Sequence, residues 1–215
     1  MKKFLKKIQF IKSTFAYGDH FLEWQLRHFS EQSPQFIKQS VFLKYGIPGS
    51  TWIETGTYLG TTTDFLRRHF PQVISIEPAK ELYEQACKRF KGQNVTLHNA
   101  PSEQVLSDIL KDMTGDVSFW LDGHYSAGFT YQGDIECPIR HELAAIEENL
   151  LHMGKVVILI DDIRCFLEEA GLKDYPPVGE LVSWADTNGF HWRIEHDIFI
   201  MYNRSQGVPK IRETT

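Results

Sequence analysis

Cysteine is scarce and scattered in this chain: Cys87, Cys137 and Cys165 are the only three in 215 residues. An odd count gives no disulfide framework, and the spacing gives no C-x-x-C metal or redox motif, so they read as reduced thiols of a cytoplasmic protein. Long apolar runs are missing too. The longest β-branched run, Val156-Val157-Ile158-Leu159-Ile160, is strand length, against the roughly 18 apolar residues a membrane-spanning helix needs. The opening MKKFLKKIQFIK has the charge of a signal peptide but neither an uninterrupted apolar segment nor a small-residue cleavage site, so export is not expected. An excess of positive charge is lacking as well. The formal net charge is −5, which argues against nucleic acid as a partner bound by general phosphate neutralisation. No internal repeat or low-complexity tract is evident, and 42% hydrophobic with 13% aromatic residues excludes disorder as the default.

What is present divides the chain into three parts. Residues 1–49 read as a helical extension. Within it Phe4, Ile8, Ile11 and Phe15 recur at helical spacing among Lys2, Lys3, Lys6, Lys7 and Lys12. Such a basic amphipathic helix either makes peripheral contact with an anionic membrane or acidic acceptor, or packs on its own domain or a second subunit, and a homodimer through the apolar faces before Ser50 is one such arrangement. A second helical stretch within 19–44 is broken at Ser33-Pro34. Residues 50–203 alternate short β-branched runs with helix-period segments, the pattern of a parallel sheet covered by helices. The spacing predicts strands over 52–54, 73–77, 95–98, 117–122, 155–160, 190–195 and 198–202, and helices over 63–70, 80–90, 102–112, 138–153 and 179–187. The last two strands are joined too briefly for a parallel crossover and form an antiparallel hairpin. The fold class is therefore α/β, a doubly wound, Rossmann-like sheet of seven strands, mostly parallel. Residues 204–215 form a polar tail.

The first strand ends in Glu54-Thr55-Gly56-Thr57-Tyr58-Leu59-Gly60, a glycine-containing turn that opens a helix at the place where doubly wound folds bind ligands. Gly56 is expected to let backbone approach a ligand, Gly60 to let the helix pack on the strand, and Glu54 to hold a cationic group. A dinucleotide fingerprint needs glycine where Tyr58 stands, so a pyrophosphate is not the expected ligand. Glu77 closes the second strand, where a carboxylate accepts both hydroxyls of a ribose.

This order of acid, glycine turn, helix, strand and acid resembles the class I S-adenosylmethionine-dependent methyltransferases. The resemblance implies that S-adenosylmethionine is the cofactor, with Glu54, Gly56, Thr57, Tyr58 and Gly60 around its methionine part and Glu77 on its ribose. Ser102 and Asp122 complete the implied cofactor set. After the third strand the chain departs from many relatives with Asn99-Ala100-Pro101-Ser102, which leaves the adenine contacts open.

The fourth strand runs into Asp122-Gly123-His124 and the fifth into Asp161-Asp162. Ends of adjacent strands lie about 4.8 Å apart, so three carboxylates converge and repel unless a cation sits between them. Oxygen ligands favour magnesium, calcium or manganese, and His124 widens the choice. The competing reading has Asp161 or Asp162 capping the next helix and Asp122 ending its strand. The pattern is similar to the metal-dependent O-methyltransferases of the catechol and macrocin-type sugar classes. That implies Mg2+ or another divalent cation on Asp122, Asp161 and Asp162, a hydroxylated small-molecule acceptor such as a sugar, and His124 with Asp122 as catalytic residues. His124 is a base suited to near-neutral pH, or equally a histidine bonded to a loop carbonyl or a further ligand. Tyr125, Phe129 and Tyr131 lie in a glycine-rich segment read as a lid, and Arg164 is a candidate for an anionic group on the acceptor. Two alternatives stand beside this reading: metal-independent transfer with His124 as base, and a non-catalytic cofactor-binding partner protein.

Overall fold

In the computed structural model residues 18–29, 32–123, 136–172 and 174–203 are described. The basic amphipathic segment, the polar tail and the segment holding His124, Tyr125, Phe129 and Tyr131 lie outside them.

Seven strands form one sheet in the order β3-β2-β1-β4-β5-β7-β6. They are β1 Thr51–Thr55, β2 Gln72–Ile76, β3 Val95–His98, β4 Gly115–Leu121, β5 Met153–Ile160, β6 Phe190–Glu195 and β7 Ile198–Asn203. The pairs β1·β2, β1·β4, β2·β3 and β4·β5 are parallel, while β7 runs antiparallel to both β5 and β6. The expected α/β class and terminal hairpin are both present. The hairpin turn, His196-Asp197, has φ of 52° and 66°, the mirror-image geometry that matches strand twist in two-residue hairpins. No Asn-Gly marks it in the sequence, and Asp197 is held there by bonds to Arg164 described below.

Helices cover both faces: α1 Gln35–Tyr45, α2 Thr61–His69, α3 Lys80–Arg89, α4 Ser102–Leu110, α5 Ile139–Asn149 and α6 Val178–Thr187, with a further helical stretch over residues 18–26. The expected 138–153 helix is shorter, because Leu150–His152 tighten into a 3-10 turn and Met153 already begins β5. Strand periodicity divides the core in two. Ile53, Phe119, Val156, Ile158 and Ile160 face one layer with Leu106, Leu143 and Ile146. Trp52, Trp120, Val157 and Leu159 face the other with Val41, Phe42, Tyr45 and Leu66. No helix among the described residues is long and apolar enough to cross a membrane.

The second layer takes in part of the segment before residue 50. Helix α1 belongs to the core: Phe42 is fully buried, with its ring 4.7 Å from that of Trp120 and 5.6 Å from that of Trp52. Lys44 Nζ lies 2.8 Å from Glu195, Tyr45 bonds the same carboxylate, and Gln35 Nε2 donates to Thr62 Oγ1 at 3.0 Å. The helix is thus pinned between the hairpin and α2, and its direction across the sheet is fixed.

Candidate active site

Strand order reverses between β1 and β4, the place where open α/β sheets form a ligand crevice at the carboxyl ends of their strands. Register puts the acids there. Thr55 pairs with both Ile76 and Leu121, and Leu121 with Ile160, so Gly56, Glu77, Asp122 and Asp161 each follow a paired residue at the same level.

The turn after β1 is built for close approach, though not at the partners expected. Gly56 has φ of 85°, and a side chain on it would collide with the Asp122 carbonyl; its bareness lets β1 leave the sheet against β4. Gly60 has φ of 71°, and a Cβ there would come within 2.8 Å of the Phe90 ring. It therefore fits α2 against the end of α3, which corrects the expectation of helix-on-strand packing. Tyr58, with φ of 48°, keeps its side chain half exposed and donates its N–H to Glu77 Oε2 at 2.7 Å. Glu77 Oε1 accepts from Ala79 N–H at 2.9 Å. Burial pushes the Glu77 carboxyl up while those two amides pull it down.

Glu54 lies beneath this turn with no exposed surface. Its Oε2 accepts from Thr63 Oγ1 at 2.5 Å and Ser75 Oγ at 2.6 Å. Since Ser75 has one hydroxyl proton, Thr57 is the donor in the 2.6 Å Thr57–Ser75 bond. Thr57 thus turns its side chain inward, away from the crevice assigned to it. Glu54 Oε1 has no hydrogen-bond partner among the described residues. Burial, aided by the charge of Glu77, raises its carboxyl to about 7.

At the β4 and β5 ends the three acids meet. Asp122, Asp161 and Asp162 each offer an oxygen, and these oxygens lie within 4.8 Å of one another. Asp161 is 1% exposed. Burial and then the charge of Asp122 push its carboxyl up to about 8, with Lys38 pulling the other way. Asp162 adopts φ of 52°, a left-handed conformation uncommon outside glycine that aims it back at its neighbour.

A cation is already among them. Lys38 Nζ, from α1, bonds Asp161 Oδ2 and stands 4.0 Å from Asp162 Oδ1, with the Trp120 ring 5.7 Å away. Burial works against its charge, but Asp161, Asp122 and Asp162 outweigh that and hold the ammonium above its ordinary range. Lys38 was not among the residues singled out in the sequence. Its signal is there: it shares a helical face with Val41, Phe42 and Tyr45, and a lysine on an apolar stripe needs a buried partner. Arg164 is also committed. It bonds Asp162 Oδ1 at 2.8 Å and Asp197 Oδ2, while its backbone N–H donates to Asp197 Oδ1 at 3.0 Å. Its guanidinium is turned to the acids, which corrects the assignment to an anionic acceptor group. Three carboxylates converge here, and Asp161 Oδ1 is buried without a hydrogen-bond partner among the described residues. The donor set therefore fits a divalent cation.

Ser102 donates to Glu142 Oε1 at 2.6 Å, both side chains being buried. Its hydroxyl proton is thus committed to α5, and Glu142 is a buried acid beside Gly123 that sequence reasoning missed. Beyond the acids, a cavity of about 260 Å³ is lined by Cys165, Phe166, Leu167, Leu172 and Tyr175 among others.

No protein-family model matches the chain, and no curated protein matches it. Solved structures do. The 23S rRNA methyltransferase ErmE superposes with a TM-score of 0.51 at 15% identity, over 86% of this chain and 73% of its own. A Clostridium thermocellum protein, provisionally described as an rRNA-methylase, gives 0.53 at 14% identity over 80% and 97%. The shared feature is the fold, the Rossmann-like sheet with its antiparallel end.

Proposed function

We propose that the protein is an S-adenosylmethionine-dependent O-methyltransferase acting on a hydroxyl of a small molecule, such as a sugar, with a divalent cation, magnesium first, at Asp122, Asp161 and Asp162. The observation that carries the reading is the convergence of these three carboxylates beside a glycine turn at the switch point of a methyltransferase fold.

The chain's own residues supply the following. Glu77, already aligned by two amides, has lone pairs left for the two ribose hydroxyls. Glu54 keeps an unsatisfied buried oxygen under the turn, an acceptor suited to the positive end of a cofactor that carries a sulfonium and an amino group. The carboxylates of Glu77 and Asp122 at the strand ends disfavour a dinucleotide pyrophosphate and favour that cation. A bound dication would hold the acceptor's oxygens and lower the pKa of the one that attacks. Asp122 is the least buried of the triad, and His124, two residues along the chain, accepts the hydroxyl proton. The net charge of −5 favours a small acceptor over a nucleic acid.

A transfer assay with labelled cofactor and a panel of hydroxylated acceptors tests this: turnover stops with chelator and returns with Mg2+, and turnover unaffected by chelator removes the metal. One observation favours a second reading. Lys38 itself supplies a positive charge among the acids, as a metal-independent transferase would need, and in that case chelation is without effect while His124→Ala is severe.

A further inference from the structure

The acid cluster holds a cation of its own, and that cation stands where a metal ion would. An ion reaching all three carboxylates sits about 2.0–2.6 Å from an oxygen of each, inside a triangle whose corners are at most 4.8 Å apart. Lys38 Nζ bonds Asp161 Oδ2 and lies 4.0 Å from Asp162 Oδ1, so it reaches two of the three carboxylates. A dication and an ammonium so placed repel each other and compete for the same oxygen lone pairs.

Resting on the metal reading, we infer that Lys38 is a tethered competitor: divalent metal binding expels its ammonium from the triad. Three features make the lysine the group that yields. Its ammonium is hydrogen-bonded to Asp161 on a flexible four-carbon stem, whereas Arg164 is fastened to Asp162 and Asp197 together. Its side chain is 15% exposed, so it already reaches solvent in part. And α1 need not move, because Phe42 and Tyr45 hold it in the core. The arrangement also sets ion selectivity. A monovalent ion that displaces Lys38 replaces one positive charge with another and gains little, whereas a dication brings a second positive charge to the carboxylates. Without metal, the lysine keeps buried carboxylates from repelling one another and holds their geometry ready.

The test is Mn2+ binding, followed by calorimetry, to the wild-type protein and to Lys38→Met. Binding at least tenfold tighter to K38M is the expected result. Equal or weaker binding to K38M overturns the inference and leaves the metal site standing; no binding to either protein removes the metal site and the inference with it. A second measurement needs no variant. Lys38 in the wild-type protein is acetylated with and without saturating Mn2+, and its rate is read by mass spectrometry against exposed Lys80 and Lys111. Metal is expected to raise the relative rate of Lys38 at least fivefold, and a rate unchanged by bound Mn2+ overturns the inference.

Discussion

Lys38 of the first core helix and Asp161 at the end of the fifth strand, 123 residues apart, are joined by a partly buried ion pair. This bond links the N-terminal segment to the candidate active site, and with Phe42 in the core it makes helix α1, which precedes Ser50, part of the same packed unit as the sheet.

Removing one carboxylate from the triad should separate metal from cofactor. Asp161→Asn is expected to weaken Mn2+ binding at least tenfold while S-adenosylmethionine binding stays within about twofold, since Asp161 touches neither Glu77 nor the glycine turn. Calorimetry on the variant checks both, and equal loss of the two ligands would contradict separate sites.

Glu54 makes stability depend on pH. It ionises near 4.5 in the unfolded chain and near 7 when folded, so between those values the folded state binds more protons. Stability therefore falls as pH rises through this window. Each pH unit separating the two values is worth about 1.4 kcal/mol, which makes the full effect of order 3 kcal/mol. Urea unfolding of cofactor-free protein at pH 5 and pH 8 should show Glu54→Gln gaining on wild type by up to that amount. Parallel pH dependence would exclude a protonated Glu54.

Gly56→Ala combines a left-handed backbone with a collision against the Asp122 carbonyl. A loss of about 2–3 kcal/mol of stability is expected, measured by chemical denaturation, with cofactor affinity falling as the β4 end is displaced. A loss under about 0.5 kcal/mol would show that the turn adapts.

Ser102 discriminates support from contact. Ser102→Ala leaves the buried Glu142 short of a donor and should lower stability by about 1–3 kcal/mol, with cofactor affinity unchanged within twofold. Lost affinity with stability intact would restore the hydroxyl to the cofactor.

The sheet was legible because its residues carry a plain code. Runs such as Val156–Ile160 are buried on both faces, and Glu54, Glu77, Asp122 and Asp161 appear at strand ends because each directly follows or closes a β-branched or apolar run. The convergence of Asp122, Asp161 and Asp162 followed from strand adjacency alone. What escaped was whatever depends on partners distant in sequence. Gly60 is fixed by Phe90, Thr57 by Ser75 and Ser102 by Glu142, and no local pattern names such pairs. Lys38 escaped because the amphipathic stripe of α1 is interrupted by polar residues, and the segment read as an appendage. Arg164 was seen but misassigned, since its partner Asp197 sits in a hairpin turn lacking the usual glycine.

The proposed ribose contact is Glu77, at the carboxyl ends of the strands where the sheet order reverses between β1 and β4. Calorimetric titration of the cofactor into wild-type protein and Glu77→Ala tests it most directly. Saturable one-to-one binding to the wild type, weakened at least tenfold in the variant, is the predicted result. A wild-type protein that takes up no S-adenosylmethionine, or a variant that binds it equally well, would contradict the account.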